Sequence, residues 1–189
     1  MKRLAVYCGA SPGADPAFAD AAREMGETMA ERGIALVYGG GRLGLMGIVA
    51  DAVLSNGGEA HGVIPKALID LEVAHNGLTE LHVVDTMHER KAKMTELTDA
   101  FVALPGGIGT LDELFEAWTW NALGYHAKPF CLLNINQFWG GLCGFLDHVA
   151  ETGFMSGARR AQLLVAGGVG EAIDRLDAAI GAAERKMVW

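Results

Sequence analysis

The chain has 189 residues, of which 51% are hydrophobic, and it contains 26 glycines, 5 prolines and a net charge of −8. This length is sufficient to bury a core without disulfides, so residues 1–189 are expected to form a single domain. The acidic charge argues against nucleic acid or an anionic membrane surface as the main partner, and it leaves a small anionic ligand open.

Short apolar runs bounded by glycine or proline alternate with segments of helical period, a pattern typical of βα repeats. Strands are predicted at residues 4–8, 35–38, 59–64, 80–84, 100–104 and 129–133. Helices are predicted at residues 16–32, 43–55, 87–97 and 110–123, with further helical segments at 137–149, 157–164 and 170–185. Apolar strands joined by helical crossovers predict an α/β fold, a Rossmann-like doubly wound parallel sheet with helices on both faces.

Glycine follows three of the predicted strands, at residues 9–11, 39–44 and 106–109. In doubly wound sheets, ligands bind in the crevice beyond the carboxyl ends of the strands. Three glycine-bearing turns at one edge of the sheet therefore predict a binding site there.

The second of these turns, Gly39-Gly40-Gly41-Arg42-Leu43-Gly44, fits the G-x-G-x-x-G dinucleotide fingerprint. It follows the second strand instead of the first, and Glu59 begins the next strand instead of ending it, which argues against NAD. Two interpretations stay open: close packing between strand and helix, and a loop that faces a nucleotide.

The third turn lies in residues 104–115, which read LPGGIGTLDELF. Gly107 and Gly109 allow backbone N–H groups to face outward, and Thr110 is predicted to open a helix whose dipole favours an anion. The turn lacks the lysine of a Walker loop, so a monophosphate is expected and a magnesium-bound triphosphate is not.

Glu113 has two interpretations. Its spacing from Thr110 fits a capping box, in which the carboxylate folds back to the start of the helix, and the sequence pattern favours this role. A carboxylate one turn inside a phosphate-binding helix could instead lie beside a sugar attached to that phosphate.

The stretch Met87-His88-Glu89-Arg90-Lys91 opens the helix after the fourth strand. It fits a solvated basic helix face, in which Glu89 pairs with Lys93. It also fits an anion-binding pair at a strand exit, since the forked donors of arginine suit phosphate.

Two of these stretches carry a resemblance to a known family. The stretch from Pro105 to Glu113 resembles the PGGxGTxxE motif of the LOG (Lonely Guy) family, and the stretch from Met87 to Lys91 is similar to its MxxRK signature. The likeness keeps order and spacing over residues 4–164.

The resemblance implies a Rossmann-like homodimer of cytokinin biosynthesis. Such an enzyme cleaves the N-glycosidic bond of adenosine-type 5′-monophosphates, AMP included, to free base and ribose 5-phosphate. Arg90 and Glu113 match the family's catalytic pair. The positions that match its substrate-binding residues are Glu72, Arg90, Lys91, Gly107, Ile108, Gly109, Thr110, Leu111, Asp112, Glu113 and Thr119.

The chain departs from the family pattern at two places. Asp112 stands where glutamate is common, and Arg42-Leu43 replaces a small-plus-aliphatic pair. Two other functions stay open: a non-catalytic carrier of a nucleotide or of molybdenum cofactor, and a lysine decarboxylase, which would need pyridoxal phosphate on a lysine.

Cysteine and histidine usage gives no sign of a metal or another cofactor. The cysteines Cys8, Cys131 and Cys143 form no CxxC pair and are expected to be free thiols of a cytoplasmic protein. The six histidines show no metal-ligand spacing along the chain, so no metal site is expected. The apolar run at residues 4–8 is too short for a signal peptide, and no membrane-spanning run occurs.

Overall fold

Seven parallel strands form one sheet in the computed structural model, which describes residues 1–69 and 73–186. The strands are β1 (Arg3–Tyr7), β2 (Ala35–Tyr38), β3 (Ala60–Pro65), β4 (Glu80–Val84), β5 (Ala100–Ala103), β6 (Phe130–Leu133) and β7 (Leu163–Ala166). Their order across the sheet is β4-β3-β2-β1-β5-β6-β7.

Helices cover both faces of the sheet. They are α1 (Pro16–Glu31), α2 (Gly44–Ser55), α3 (Met87–Leu97), α4 (Ile108–Ala122), α5 (Gly140–Glu151), α6 (Gly157–Arg160) and α7 (Val169–Lys186), with 3₁₀ turns at Lys66–Leu68 and Ile135–Gln137. Within residues 1–69 and 73–186, no helix has the length and apolar character needed to cross a membrane.

The side chains of β1 alternate between the hydrophobic cores on the two faces of the sheet. Leu4 and Val6 join a core cluster with α1, α2 and α7, whereas Ala5 and Tyr7 join a second cluster with α3, α4 and α5. Side chains of a strand point alternately to opposite faces, so a strand buried on both faces is apolar throughout. The predicted fold class is confirmed.

The crevice of this fold lies between β1 and β5. The chain runs outward from β1 through β2, β3 and β4 and then returns to the other side of β1 as β5, which creates a topological switch point. The N–H of Gly9 donates to the carbonyl of Pro105 at 3.1 Å, and the N–H of Leu45 donates to the carbonyl of Gly9 at 3.0 Å. These bonds join the loops after β1, β2 and β5.

One strand was missed by the sequence analysis. The helix predicted at residues 157–164 ends at Arg160, and Leu163–Ala166 pairs with β6 as the edge strand β7. Four residues are too few to show a clear period, so the sequence does not distinguish this apolar run from the end of the preceding helix.

Candidate active site

A cavity of about 600 Å³ opens at the switch point. The loop after β1 (residues 8–13) and the loop from β5 into α4 (residues 105–110) form much of its wall. Arg90, Asp112 and Glu113 also line it. A cavity of this size is in the range that small-molecule ligands occupy in proteins.

The first turn of α4 presents backbone donors to this cavity. Gly107 is the N-cap, and within the described residues no side chain caps the helix. The N–H groups of Ile108, Gly109 and Thr110 lie in the first turn, where a helix has no acceptors of its own and its dipole is positive. A Cβ added at Gly107 or Gly109 would meet nothing within 4 Å, so a ligand can approach the backbone closely. This helix end is suited to an anion.

The capping-box prediction for this helix is wrong. The helix begins at Ile108, so Thr110 lies inside the first turn and is not the N-cap. Thr110 is 3% exposed, and a Cβ at Gly106 would lie 2.1 Å from its Oγ1. Thr110 therefore packs against the glycine turn, while Glu113, one turn further along α4, lines the cavity.

Arg90 is buried at the cavity floor, with 4% of its surface exposed. Its Nη2 donates to the carbonyl of Gly39 at 3.0 Å. The N-cap Thr86, whose Oγ1 accepts from the N–H of Glu89 at 3.1 Å, begins the helix that places Arg90 there. The interpretation of this segment as a solvated basic face is therefore wrong for Arg90.

The expected pairing of Glu89 with Lys93 is also absent among the ion pairs of the described residues. The Glu89 carboxylate accepts from the N–H of Asp85 at 2.9 Å, and Lys93 pairs with Glu96 at 3.1 Å. Glu89 thus reinforces the start of α3, as acidic groups near a helix N-terminus do.

The second glycine turn supports the cavity from outside. The described cavity wall contains none of its four predicted glycines, which are Gly39, Gly40, Gly41 and Gly44. A Cβ at Gly39 would lie 2.0 Å from Nη2 of Arg90. Gly44 has a φ of +57°, and a Cβ there would lie 2.3 Å from the carbonyl carbon of Ala10. The geometry matches the close-packing interpretation of this turn.

Two neutral groups lie beneath the charged ones. Burial raises the pKa of Tyr7 well above its usual range; the carboxylates of Glu113 and Glu116 raise it further and Arg90 opposes them. Burial, with a contribution from Glu113, also raises the pKa of the Cys8 thiol. The phenol and the thiol stay protonated at neutral pH, so they add no charge beside Arg90 and Glu113.

Lys91 does not itself line the described cavity wall, and it joins α3 to α4. Its Nζ lies 3.0 Å from Oδ2 of Asp112 and also contacts Oε2 of Glu116. Burial lowers the pKa of Lys91, but its hydrogen bonds to Glu116 and Asp112 outweigh that effect, so the pKa is raised. This ion pair fixes the helix that holds Arg90 relative to the helix that holds Glu113.

The other predicted substrate-binding residues are more dispersed. Ile108 is 84% exposed at the cavity rim. Leu111 packs into the second core cluster, and its N–H donates to the carbonyl of Gly107. Thr119 is exposed further along α4 and does not line the cavity. Glu72 lies outside the described residues.

Apolar side chains that the sequence analysis did not assign complete the cavity wall. They include Phe18, Met46, Met87 and Phe138. The rings of Phe18 and Phe138 pack edge to face, with centroids 5.5 Å apart. Their signal in the sequence is positional, since Phe18 lies in the first turn of the helix after β1 and Phe138 follows β6.

A protein from Rhodococcoides fascians named cytokinin riboside 5′-monophosphate phosphoribohydrolase is 49% identical over 165 residues, which is 87% of this chain and 83% of the relative. The chain belongs to the LOG family. The rice relative named cytokinin riboside 5′-monophosphate phosphoribohydrolase LOG is 44% identical over the whole of this chain and 78% of its own length. The predicted family is confirmed.

The family model that matches residues 46–176 has the description "Possible lysine decarboxylase". Among the described residues that line the cavity, none is a lysine that could hold pyridoxal phosphate. Placement in the LOG family therefore rests on the named relatives, which are 40–49% identical to this chain.

Solved structures of molybdenum cofactor proteins share the fold of this LOG family chain. The molybdenum cofactor binding protein from Rippkaea orientalis has a TM-score of 0.72 at 20% identity, covering 95% of this chain and 98% of its own. The molybdenum cofactor carrier protein from Chlamydomonas reinhardtii has a TM-score of 0.71, also at 20% identity, covering 96% and 99%. At this identity the likeness shows the fold alone.

Proposed function

We propose that this protein is a phosphoribohydrolase that cleaves cytokinin riboside 5′-monophosphates to free base and ribose 5-phosphate. The observation that carries this proposal is one cavity in which the helix N-terminus of α4 faces a buried arginine, Arg90, and a carboxylate, Glu113. Relatives that are 40–49% identical are named for this reaction.

The 5′-phosphate is held by the first turn of α4. The N–H groups of Ile108, Gly109 and Thr110 donate to its oxygens, and the helix dipole favours its charge. Gly107 and Gly109 have no side chains, so the end of the helix is open to the phosphate. The nucleotide base then lies along the apolar wall that contains Phe18 and Phe138.

Glu113 acts at the anomeric carbon. Breaking a ribosyl–base bond builds positive charge on the sugar. A carboxylate one turn beyond the phosphate-binding end of α4 stabilises that charge. It also orients the attacking water and takes its proton. The water oxygen bonds to C1′ as its proton passes to Glu113, the C1′–N bond breaks, and its electron pair leaves with the base. The base takes up a proton from solvent, and Glu113 returns its proton to solvent.

Arg90 positions the reacting groups. Its carbonyl partner Gly39 and its place on α3 fix the guanidinium at the cavity floor, where its charge favours ionised Glu113 and its donors can hold ribose or phosphate. Direct substrate contacts by Glu72, Lys91 and Thr119 stay predictions from the family resemblance. The ion pair of Lys91 with Asp112 supports an indirect contribution to the site as well.

Product analysis tests this function. The purified protein is incubated with isopentenyladenosine monophosphate, and in parallel with the riboside that lacks the phosphate. We expect free base and ribose 5-phosphate from the monophosphate and at least a 100-fold slower reaction of the riboside. Absence of free base from the monophosphate would refute the hydrolase. Binding of a pterin monophosphate without hydrolysis would then favour the carrier function.

Three finer proposals accompany this function: AMP as a second substrate, a homodimeric assembly and a cytoplasmic location. The cavity that is proposed to bind the phosphate also has room for adenine, which supports AMP as a second substrate.

The aromatic side chains of Tyr125, Phe145 and Phe154 are 62–90% exposed, and aromatic residues are enriched at interfaces, which supports a homodimer. Three free cysteines suit a reducing compartment. AMP turnover, sedimentation and cell fractionation test these proposals in turn.

A further inference from the structure

Two histidines and a glutamate come together on one face of the sheet, away from the cavity. His61 on β3 lies opposite Glu80 on β4 in the strand register, and His82 lies two residues beyond Glu80. Partners in a parallel pair face the same side, and so do residues i and i+2 of a strand. The three side chains therefore converge, with one ligand atom of each lying within 4.8 Å of the others.

The distances from the Glu80 carboxylate to the two imidazoles suit a shared metal ion better than direct hydrogen bonds. Oε2 of Glu80 lies 3.5 Å from Nδ1 of His61 and 3.4 Å from Nε2 of His82. Charge-assisted hydrogen bonds between such groups are shorter, about 2.7–2.9 Å. Metal–ligand bonds of about 2.0–2.2 Å in a tetrahedron place neighbouring ligands about 3.4 Å apart.

The burial of His61 is a second, independent observation. The residue is 5% exposed, and among the described residues neither of its ring nitrogens has a hydrogen-bond partner. Nε2 of His82 is likewise buried without one. Buried polar atoms normally have partners, and a bound cation would satisfy Nδ1 of His61 and Nε2 of His82 together.

A further carboxylate stands behind His61. Oε2 of Glu59 lies 3.6 Å from Nε2 of His61, the ring nitrogen that faces away from Glu80. Metal-bound histidines usually direct their second nitrogen to such a carboxylate, which fixes the tautomer that leaves the other nitrogen free to bind. At 3.6 Å Glu59 does not hydrogen-bond to Nε2 in this structure, but it is placed to accept from that nitrogen once a cation binds Nδ1.

We propose that His61, Glu80 and His82 form a binding site for a divalent zinc-class cation that fastens the edge strand β4 to β3. Two imidazoles and one carboxylate are typical zinc ligands, and a water completes the tetrahedron. The Glu80 side chain is 56% exposed, which gives the ion a path from solvent. None of the three ligands lines the catalytic cavity within the described part of the chain, so this is a separate site.

Zinc titration of the full chain tests the proposal. Any purification tag is removed, the protein is stripped with a chelator, and Zn²⁺ binding is followed by calorimetry. We expect one equivalent per chain and a rise in melting temperature of about 5–10 °C at 100 times the dissociation constant. Co²⁺ should bind in place of Zn²⁺ and show the visible absorption of a tetrahedral site.

Variants at the more accessible ligands identify the site without disturbing the buried His61. Glu80→Gln and His82→Gln should each weaken Zn²⁺ binding at least 100-fold, and Glu59→Gln should weaken it about 10–100-fold. His148→Gln is the matched control, since it removes an exposed imidazole on α5 and should leave the affinity unchanged. Absence of saturable binding, or wild-type affinity in Glu80→Gln and His82→Gln, would overturn the site.

Discussion

The guanidinium of Arg90 occupies the space that a side chain at Gly39 would need. The carbonyl of Gly39 accepts from Nη2 at 3.0 Å, and a Cβ on the same residue would lie 2.0 Å from that nitrogen. The turn after β2 thus both binds the arginine and limits where it can lie. The glycines of this turn do not line the described cavity wall, so under the proposed function the turn acts through the position of Arg90.

Gly39→Ala should reduce kcat/KM about 100-fold, because the added methyl group displaces Arg90 by roughly 1 Å or more. Turnover of isopentenyladenosine monophosphate and a thermal melt measure the effect on folded protein. Gly144→Ala on α5, where a Cβ meets nothing within 4 Å, is the control and should keep full activity. Full activity in Gly39→Ala would show that the position of Arg90 is not critical.

Gly109→Ala, at the helix end that is proposed to bind the phosphate, should stabilise the fold and weaken substrate binding. Gly109 lies in the first turn of α4, and a Cβ there meets nothing within the protein, so Gly109→Ala should stabilise the fold by up to about 0.5–1 kcal/mol. The same methyl group would stand where the phosphate approaches, so KM should rise about tenfold or more. Steady-state kinetics and urea unfolding check the two effects.

Gly144→Ala again provides the control for Gly109→Ala, because it makes the same substitution in α5 at a residue that does not line the described cavity wall. An unchanged KM in Gly109→Ala would place the phosphate elsewhere in the cavity.

The fold could be predicted because its evidence is local. Apolar strands, glycine-bearing exits and helical periods are all visible along the chain, and the edge strand β4 was predicted with its observed bounds, Glu80–Val84. The strand β7 was missed because its identity comes from pairing with β6, which no local pattern shows.

The site could be predicted only in part. The motif located Arg90 and Glu113 in the cavity wall, but the capping box depended on where α4 begins, and the helix begins at Ile108 after the N-cap Gly107. The burial of Arg90 depends on a tertiary contact with Gly39. The cluster of His61 with His82 arises from strand register, so spacing along the chain concealed it.

Lys91→Met should destabilise the protein by about 1–2 kcal/mol, because it leaves the half-buried Glu116 without its cation. The raised pKa of Lys91 determines the pH range over which its ion pair stabilises the fold. A raised lysine pKa gives stability that is fully present below the unfolded-state value, about 10.4, and is lost as pH rises through the folded-state value. Urea unfolding should therefore give the same difference between wild type and variant at pH 7 and pH 9. A difference that vanishes by pH 9 would contradict the ion pair.

The thiols should differ in reactivity. Burial, with a smaller contribution from Glu113, raises the pKa of Cys8, and burial raises the pKa of Cys131 to about 12. A raised thiol pKa keeps the unreactive neutral form at pH 8. Alkylation of the native protein, read by mass spectrometry, should label the half-buried Cys143 first. Rapid labelling of Cys8 would show that the cavity floor opens.

Glu113→Gln should lower kcat by about 10²–10⁴-fold while AMP still binds, because the amide keeps the shape of the side chain but cannot take a proton from water. Glu116→Gln is the matched control. It lies on the same helix, contacts Lys91 and does not line the described cavity wall, so it should retain turnover within about tenfold. Single-turnover kinetics and AMP titration measure the two quantities. If Glu113→Gln turns over as fast as Glu116→Gln, the general base must be another group of the cavity.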